Sequence, residues 1–392
     1  MIKVLNVVVD NHIGGIQNRI LSIGKELNNR GIQSIILTPK GDGNFVTIAR
    51  NSGFQVHQAL IASPKTFTSF KNIVKNILWI LNFPVGIIET IRIIKHEDVD
   101  IVHVNGLLAL HAVFAARITR TPLVWHLIGT IYPQLLIKRL RPLFYWSKKI
   151  VLVTNKTKEY YLGENFLDEM VAVIFEPVDI SYYQKAQKSR EKKAYFKYKY
   201  NIPLDFHIVG FIGNISPVKG LEYFLEIVKY QKDTSNTRVY FLIAGKVTKN
   251  QVKYMDKLLS LIEKLNLRNN VIILNNFEDV REIYSILDIF LMTSRSEGTP
   301  LVILEAMAME IPVIAPNVGG IAEQISDGIT GFVVPPKDNE LTLKNLQVLL
   351  NNPELREEMG RKGRERVDSL FSLEKCVQLH QDLYFELVKR GK

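Results

Sequence analysis

Cysteine is almost missing from this chain. Among 392 residues only Cys376 occurs, so no disulfide closes within the chain, and such usage suits a reducing compartment. Several nucleotide-handling patterns are missing too. "DNHIGGIQ" carries Gly14 and Gly15 after the first apolar run but no G-x-G-x-x-G, and "GNISPVKG" does not supply one. A phosphate loop ending in G-K-S/T is absent. NAD-dependent chemistry and P-loop hydrolysis both lose ground. No D-x-D cluster suited to a divalent ion is read, so neither a metal nor another cofactor is expected. No period of 20 to 50 residues repeats, which argues against a solenoid. The first residues, "MIKVLNVVVD", read as a buried strand rather than a basic-apolar-small leader, so a cytoplasmic location is expected.

What is present is alternation. "IKVLNVVV", "QSIILTP", "VDIVHVNG", "PLVWHL" and "KIVLVTN" are short Val- and Ile-rich runs, separated by amphipathic stretches such as "IQNRILSIGKELNNRG". The pattern restarts at "FHIVGFIGNISPVKGLEYFLEIVKY" and continues through "VYFLIAG", "NVIILNNF", "IFLMTS", "PVIAP" and "GFVVPP". Continuous apolar strands alternating with helices predict parallel sheets covered on both faces. The length exceeds one ordinary core of roughly 200 residues. An α/β fold of two doubly wound domains is therefore expected: 1–180, then 200–371, with a junction near "DISYYQKAQKSREKKAYFKYKYNIP". A final amphipathic helix over 372–392 would cross back to the first domain. Ligands of such sheets bind beyond the carboxyl ends of the strands.

The net charge of +11 is unevenly spread. Residues 1–200 carry 27 Lys+Arg against 14 Asp+Glu, whereas the remainder carries 23 against 25. That asymmetry suggests that the first half faces something anionic.

The stretch "SRSEGTPLVILEAMAMEIPVIAPNVGG" begins at Ser294 and holds Glu297 and Glu305. Thr299 is a natural helix N-cap and Pro300 a natural first helical residue. The backbone N–H groups of Leu301 and Val302 would then form an anion site at the positive end of the helix. Glu305 lies about 7–8 Å along the axis from Pro300. A carboxylate, a diphosphate-sized anion site and a second carboxylate in a row fit a nucleotide sugar. The spacing alone equally fits two glutamates satisfied locally. The buried character of Ile303, Leu304, Ala306 and Met307 tilts the reading, because a buried carboxylate needs partners.

This stretch resembles the E-x7-E motif of family 4 retaining glycosyltransferases, which have the two-domain GT-B fold with Rossmann-like domains facing across a cleft. The likeness extends through "IPVIAPNVGGIAEQISDGITGFVVPPKD", and back to "GGIQNRILSIGKELNNRG", "HVNG", "PLVWH", "FEPVDISYY" and "SPVKG". The resemblance implies a role for each matched residue. Glu297 would hold the transferred sugar near the reacting carbon, Glu305 would bind the ribose hydroxyls, and Lys219 would neutralise the departing diphosphate. Gly15 would let backbone approach the phosphate or sugar closely, and His126 would contact the sugar. Where the family often has an arginine on the phosphates, this chain has Asn214, which brings a hydrogen-bond donor and no charge. Lys219 and the helix N-terminus would then carry more of the leaving-group stabilisation, without a metal. The resemblance also implies front-face attack rather than a carboxylate nucleophile, a UDP-linked donor by family frequency, and a saccharide or lipid-linked acceptor in bacterial surface-polysaccharide assembly.

The basic half would hold the acceptor. "TFTSFKNIVKNILWILNFPVGIIETIRIIK" mixes Lys71, Lys75, Arg92 and Lys95 with Phe70, Trp79 and Phe83. Its uncharged core from Asn76 to Ile88 is too short to span a bilayer but long enough to lie on one. "IKRLRPLFYWSKK" repeats the theme. Peripheral attachment to an anionic inner leaflet is the expectation. No nucleic-acid module is read. The competing readings are a non-catalytic sugar-binding protein and a phosphorylase or epimerase of related fold.

Overall fold

The structure, a computed structural model, describes residues 1–41, 43–61, 70–129, 132–163, 166–184, 190–235 and 237–389. The chain divides into two compact units, Met1–Pro177 with Leu373–Lys392, and Val178–Ser372. The stretch read as the junction carries two helices, Ile180–Gln184 and Arg190–Lys199, both in the second unit. Residues 185–189 between them lie outside the described residues.

The first unit is built on a seven-stranded parallel sheet: β1 (Ile2–Val7), β2 (Ile32–Pro39), β3 (Gln55–Ala59), β4 (Ile101–Asn105), β5 (Leu123–Leu127), β6 (Lys149–Leu152) and β7 (Val171–Val173), in the order β3-β2-β1-β4-β5-β6-β7. The pleat sorts their side chains. Leu5, Val7, Val102, Val104, Trp125, Ile150 and Leu152 share one core. Val4, Ile101, Val124 and Val151 point the other way, towards the helices Gly15–Asn29 and Leu373–Lys389. Both faces are thus covered, as a parallel sheet requires. β3 and β7 lack a distinct apolar run because they are edge strands that stay partly wet.

The second unit repeats the design with six parallel strands: β8 (His207–Ile212), β9 (Val239–Ala244), β10 (Val271–Leu274), β11 (Ile289–Leu291), β12 (Val313–Pro316) and β13 (Gly331–Val334), in the order β10-β9-β8-β11-β12-β13. Its chemistry-bearing loops follow β8 and β11, neighbours at the centre of the sheet. That is where the strand order reverses and where open α/β sheets take their ligands.

Candidate functional site

In the second unit the loop after β8 runs from Gly213 to Gly220, and the loop after β11 from Met292 to Pro300. They are stitched together by backbone. Arg295 N–H donates to Val218 O at 2.8 Å, and the Thr293 hydroxyl donates to Gly220 O at 3.1 Å. Gly220 has φ +61°, and a Cβ there would run into the Thr293 carbonyl, so only glycine allows the approach. The result places Lys219 Nζ 2.7 Å from Glu297 Oε1. Sequence reasoning gave these two residues separate tasks; the fold brings them together as an ion pair.

A third loop holds Glu297 from behind. Gly320 N–H donates to Gly298 O at 2.7 Å. Gly319 has φ +58°, and a Cβ there would run into the Glu297 carbonyl. The Gly-Gly pair after β12 therefore fixes the backbone that carries the glutamate. Asn214 is exposed in its loop after β8.

The helix Leu301–Ala308 starts one residue later than its sequence suggests. Pro300 is the N-cap, with φ −70° and ψ 113°, and no side chain caps the helix. The Thr299 hydroxyl, expected as the cap, is instead buried without a hydrogen-bond partner among the described residues. The proline ring already fixes the turn-in, and the first-turn N–H groups of Leu301 and Val302 precede the bond from Ile303 N–H to Pro300 O. Glu305 lies further along this helix, half-buried. Burial raises its pKa, against the pull of hydrogen bonds from Tyr284 and Tyr183. The Tyr284 hydroxyl sits 2.8 Å from Glu305 Oε2. A carboxylate offers about four acceptor positions, so two tyrosines leave room for further hydroxyl donors. Neither tyrosine was singled out in the sequence; Tyr284 has a faint signal in the apolar periodicity of "REIYSILDIF", and Tyr183 ends the stretch "FEPVDISYY".

In the first unit Gly15 opens the helix Gly15–Asn29 behind Gly14 as N-cap. It is exposed, and a Cβ there would meet nothing within 4 Å. Packing within the protein does not demand a glycine here. His126 behaves differently from expectation. It is 1% exposed. The pleat turns His126 and His103 to the sheet face covered by the helices Gly15–Asn29 and Leu373–Lys389. Arg19 Nη1 lies 2.7 Å from His126 Nε2 and 3.2 Å from Glu176 Oε1, while Nη2 lies 2.5 Å from Asn105 Oδ1. His126 Nδ1 is 3.3 Å from His103 Nε2, and His103 Nδ1 is 2.6 Å from the Tyr384 hydroxyl. Since a guanidinium only donates, the protons are assigned in order: His126 carries its own on Nδ1 and donates to His103, which donates to Tyr384. Both His126 nitrogens thus have protein partners within the unit, which the sequence did not suggest. Burial above all, and then neighbouring positive groups, hold His103 and His126 well below the usual imidazole range and push His380 down to about 4. Arg19 had a legible signal: it stands three residues after Ile16 and four before Ile23, on the apolar stripe of its helix.

His103, His126 and His380 place ligand atoms within 4.8 Å of one another, a spacing that suits a cation. Their chemistry does not. The Arg19 guanidinium already claims one lone pair of His126 and forces the proton onto its other nitrogen. Asp98 and Asp100 have D-x-D spacing, but they precede β4, at the end of the sheet away from its ligand-binding edge, and Asp100 accepts the Lys3 N–H at 2.8 Å.

Known proteins agree with this architecture. The family model described as "Glycosyltransferase Family 4" matches residues 13–182, and "Glycosyl transferases group 1" matches residues 192–366. An Escherichia coli UDP-Gal:alpha-D-GlcNAc-diphosphoundecaprenol alpha-1,3-galactosyltransferase is 25% identical over 320 residues, 77% of this chain and 79% of that one. The Staphylococcus aureus capsular polysaccharide biosynthesis glycosyltransferase CapM is 27% identical over 188 residues, about half (48%) of each chain. Among solved structures, a glycosyltransferase from Rickettsia africae ESF-5 superposes with a TM-score of 0.83 at 24% identity, covering 99% of both chains. Anabaena HepE in complex with UDP does so at 0.83 and 18% identity, covering 98% of this chain and 100% of that one. At these identities the structures establish the fold. Two matched models in tandem, two parallel-sheet units and the E-x7-E stretch place the chain in glycosyltransferase family 4, with the GT-B fold.

Proposed function

We propose that this protein transfers a sugar from a nucleoside-diphosphate sugar, UDP-linked, to a hydroxyl of a saccharide or lipid-linked acceptor, with retention of configuration and without a metal. The Lys219–Glu297 pair carries the reading. In the resting protein the two charges neutralise each other at the mouth of a helix. When a donor arrives, its diphosphate takes over Lys219, with the N–H groups of Leu301 and Val302 as further donors, and Glu297 is released towards the sugar hydroxyls. Preorganised donors aimed at a leaving phosphate do most where charge develops in the transition state. Glu305 would accept from the ribose hydroxyls, and the Thr299 hydroxyl would find its missing partner on the ligand. The open space at Gly15 would leave its helix N-terminus accessible to an anionic group. The lipid-linked acceptor is supported by the Escherichia coli relative, whose name includes a diphosphoundecaprenol substrate. A UDP donor is supported by HepE, solved with UDP-glucose.

The test is turnover of UDP-sugars in the presence of a chelator, with NMR of the anomeric proton in the product. Release of UDP and an α-product from an α-donor are expected. Lys219→Ala should lower kcat by about 10²- to 10³-fold. Turnover that stops with chelator, or a Lys219→Ala variant as fast as wild type, contradicts the reading.

A further inference from the structure

The helix Phe70–His96 has an apolar face that meets no partner among the described residues. Among the described residues, Asn76–His96 is long and apolar enough to cross a membrane by length and composition, yet little of it is buried. Ile77, Leu78, Ile80, Leu81, Val85 and Ile88 are exposed, between 41% and 67%. Ile77, Leu81, Pro84 and Ile88 are spaced four, three and four residues apart, so they form one stripe, and Arg92 and Lys95 continue it at the same spacing. The side chains of Phe70, Lys71 and Lys75 lie outside the described residues.

The opposite face is anchored. Asn76, Thr90 and Ile94 are buried, and a Cβ on Gly86 would stand 2.6 Å from the Leu60 carbonyl. Phe83 packs edge-on against Phe114 at 5.8 Å, and Phe114 against Trp146 at 5.2 Å. This ties the helix into one layer with Leu110–Thr119 and Gln134–Phe144. That layer is basic. From Ile101 to Lys158 the chain has nine Lys or Arg and no Asp or Glu. Arg117, Ile118, Leu135, Lys138 and Arg139 are exposed on it.

We infer that this face seats the protein on an anionic lipid bilayer, with the helix lying in the interface plane. Twenty-one residues reach about 30 Å, enough to cross, but the strands on either side, β3 and β4, belong to one sheet. A crossing would leave them on opposite sides of the membrane. An apolar stripe flanked by cations instead matches a helix whose greasy side enters the acyl boundary while its charges meet lipid phosphates. A second copy of the chain fits poorly. A twofold contact sets a patch against itself, and this layer offers its cations few acids to pair with.

Co-sedimentation of the full chain with vesicles tests it, using phosphatidylcholine alone and an equal mixture with phosphatidylglycerol. Wild type should pellet with the mixed vesicles and far less with phosphatidylcholine, and added salt should release it. The triple variant Ile77→Glu, Leu81→Glu, Ile88→Glu should stay in solution with an unchanged melting temperature. Reversing Arg92 and Lys95 to Glu should lower partitioning by about tenfold or more. No pelleting with anionic vesicles, or a triple variant that pellets as wild type does, overturns the inference. So does a wild-type dimer in solution that the triple variant loses while neither pellets, because the face would then belong to a second copy.

Discussion

The two units share a winding pattern but treat their ionisable groups in opposite ways. In the first, Glu176, Asn105 and His126 bond Arg19, and His126, His103 and Tyr384 continue the line as one buried relay. In the second, Glu305 keeps spare acceptor capacity and, among the described residues, the Thr299 hydroxyl lacks a partner while the Lys219 and Glu297 side chains pair with each other. A complete buried network specifies structure; an incomplete one at the strand-order reversal of a sheet is ready for a ligand. His126 and Glu305 both looked functional in the sequence. The state of their neighbours separates them.

The sharpest way to break this contrast is Arg19→Met. It strands the half-buried Glu176 carboxylate and removes the proton donor of His126. Breaking a buried pair costs about 3–5 kcal/mol, so denaturant unfolding should show a large loss of stability. Lys219→Ala also leaves a carboxylate unpaired, that of Glu297, but breaks no wider relay, so it should destabilise less while lowering kcat by about 10²- to 10³-fold. Equal stability losses at the two positions would erase the distinction.

The histidines give a second, smaller handle. His103, His126 and His380 are held below the imidazole value by burial above all, with Arg19 and one another as the neighbouring charges and Glu176, Cys376 and Tyr384 around them. The unfolded chain binds protons at these sites first as pH falls. Stability is therefore full above about pH 6.5 and declines below it, by up to about 1.4 kcal/mol per pH unit for each histidine. For His380 the decline continues towards pH 4. Melting followed from pH 8 to pH 5 should fall only in the lower part, and His380→Gln should shallow the slope. A flat profile would mean that the cluster takes up protons without strain. The smallest effect belongs to Thr299→Val. A lost N-cap costs about 1 kcal/mol, but this hydroxyl caps nothing, so stability should hold within about 0.5 kcal/mol while donor affinity weakens.

Much of this was legible in the sequence. The two-fold restart of apolar strands gave both sheets, because a buried parallel strand must be apolar on both faces. The edge strands β3 and β7 were missed for the converse reason: half-wet strands carry no such run. The helix after Thr299-Pro300 was legible, yet its cap was misplaced by one residue, since proline can sit on either side of a helix boundary. The Lys219–Glu297 pair was invisible, because it depends on two loops 78 residues apart being stitched together by Gly220, Thr293 and Arg295. The surroundings of His126 were not legible because its partners Arg19 and His103 come from other parts of the chain.

Titration calorimetry of UDP with wild type and Glu305→Gln, chelator present, tests the central claim most directly. The amide keeps the shape but loses the charge that accepts ribose hydroxyls, a difference of about 1.5–3 kcal/mol. Wild type should bind UDP, and Glu305→Gln should bind it roughly 10- to 100-fold more weakly. Equal binding by the two proteins, or no nucleoside diphosphate bound by wild type, would contradict a donor site in the second unit.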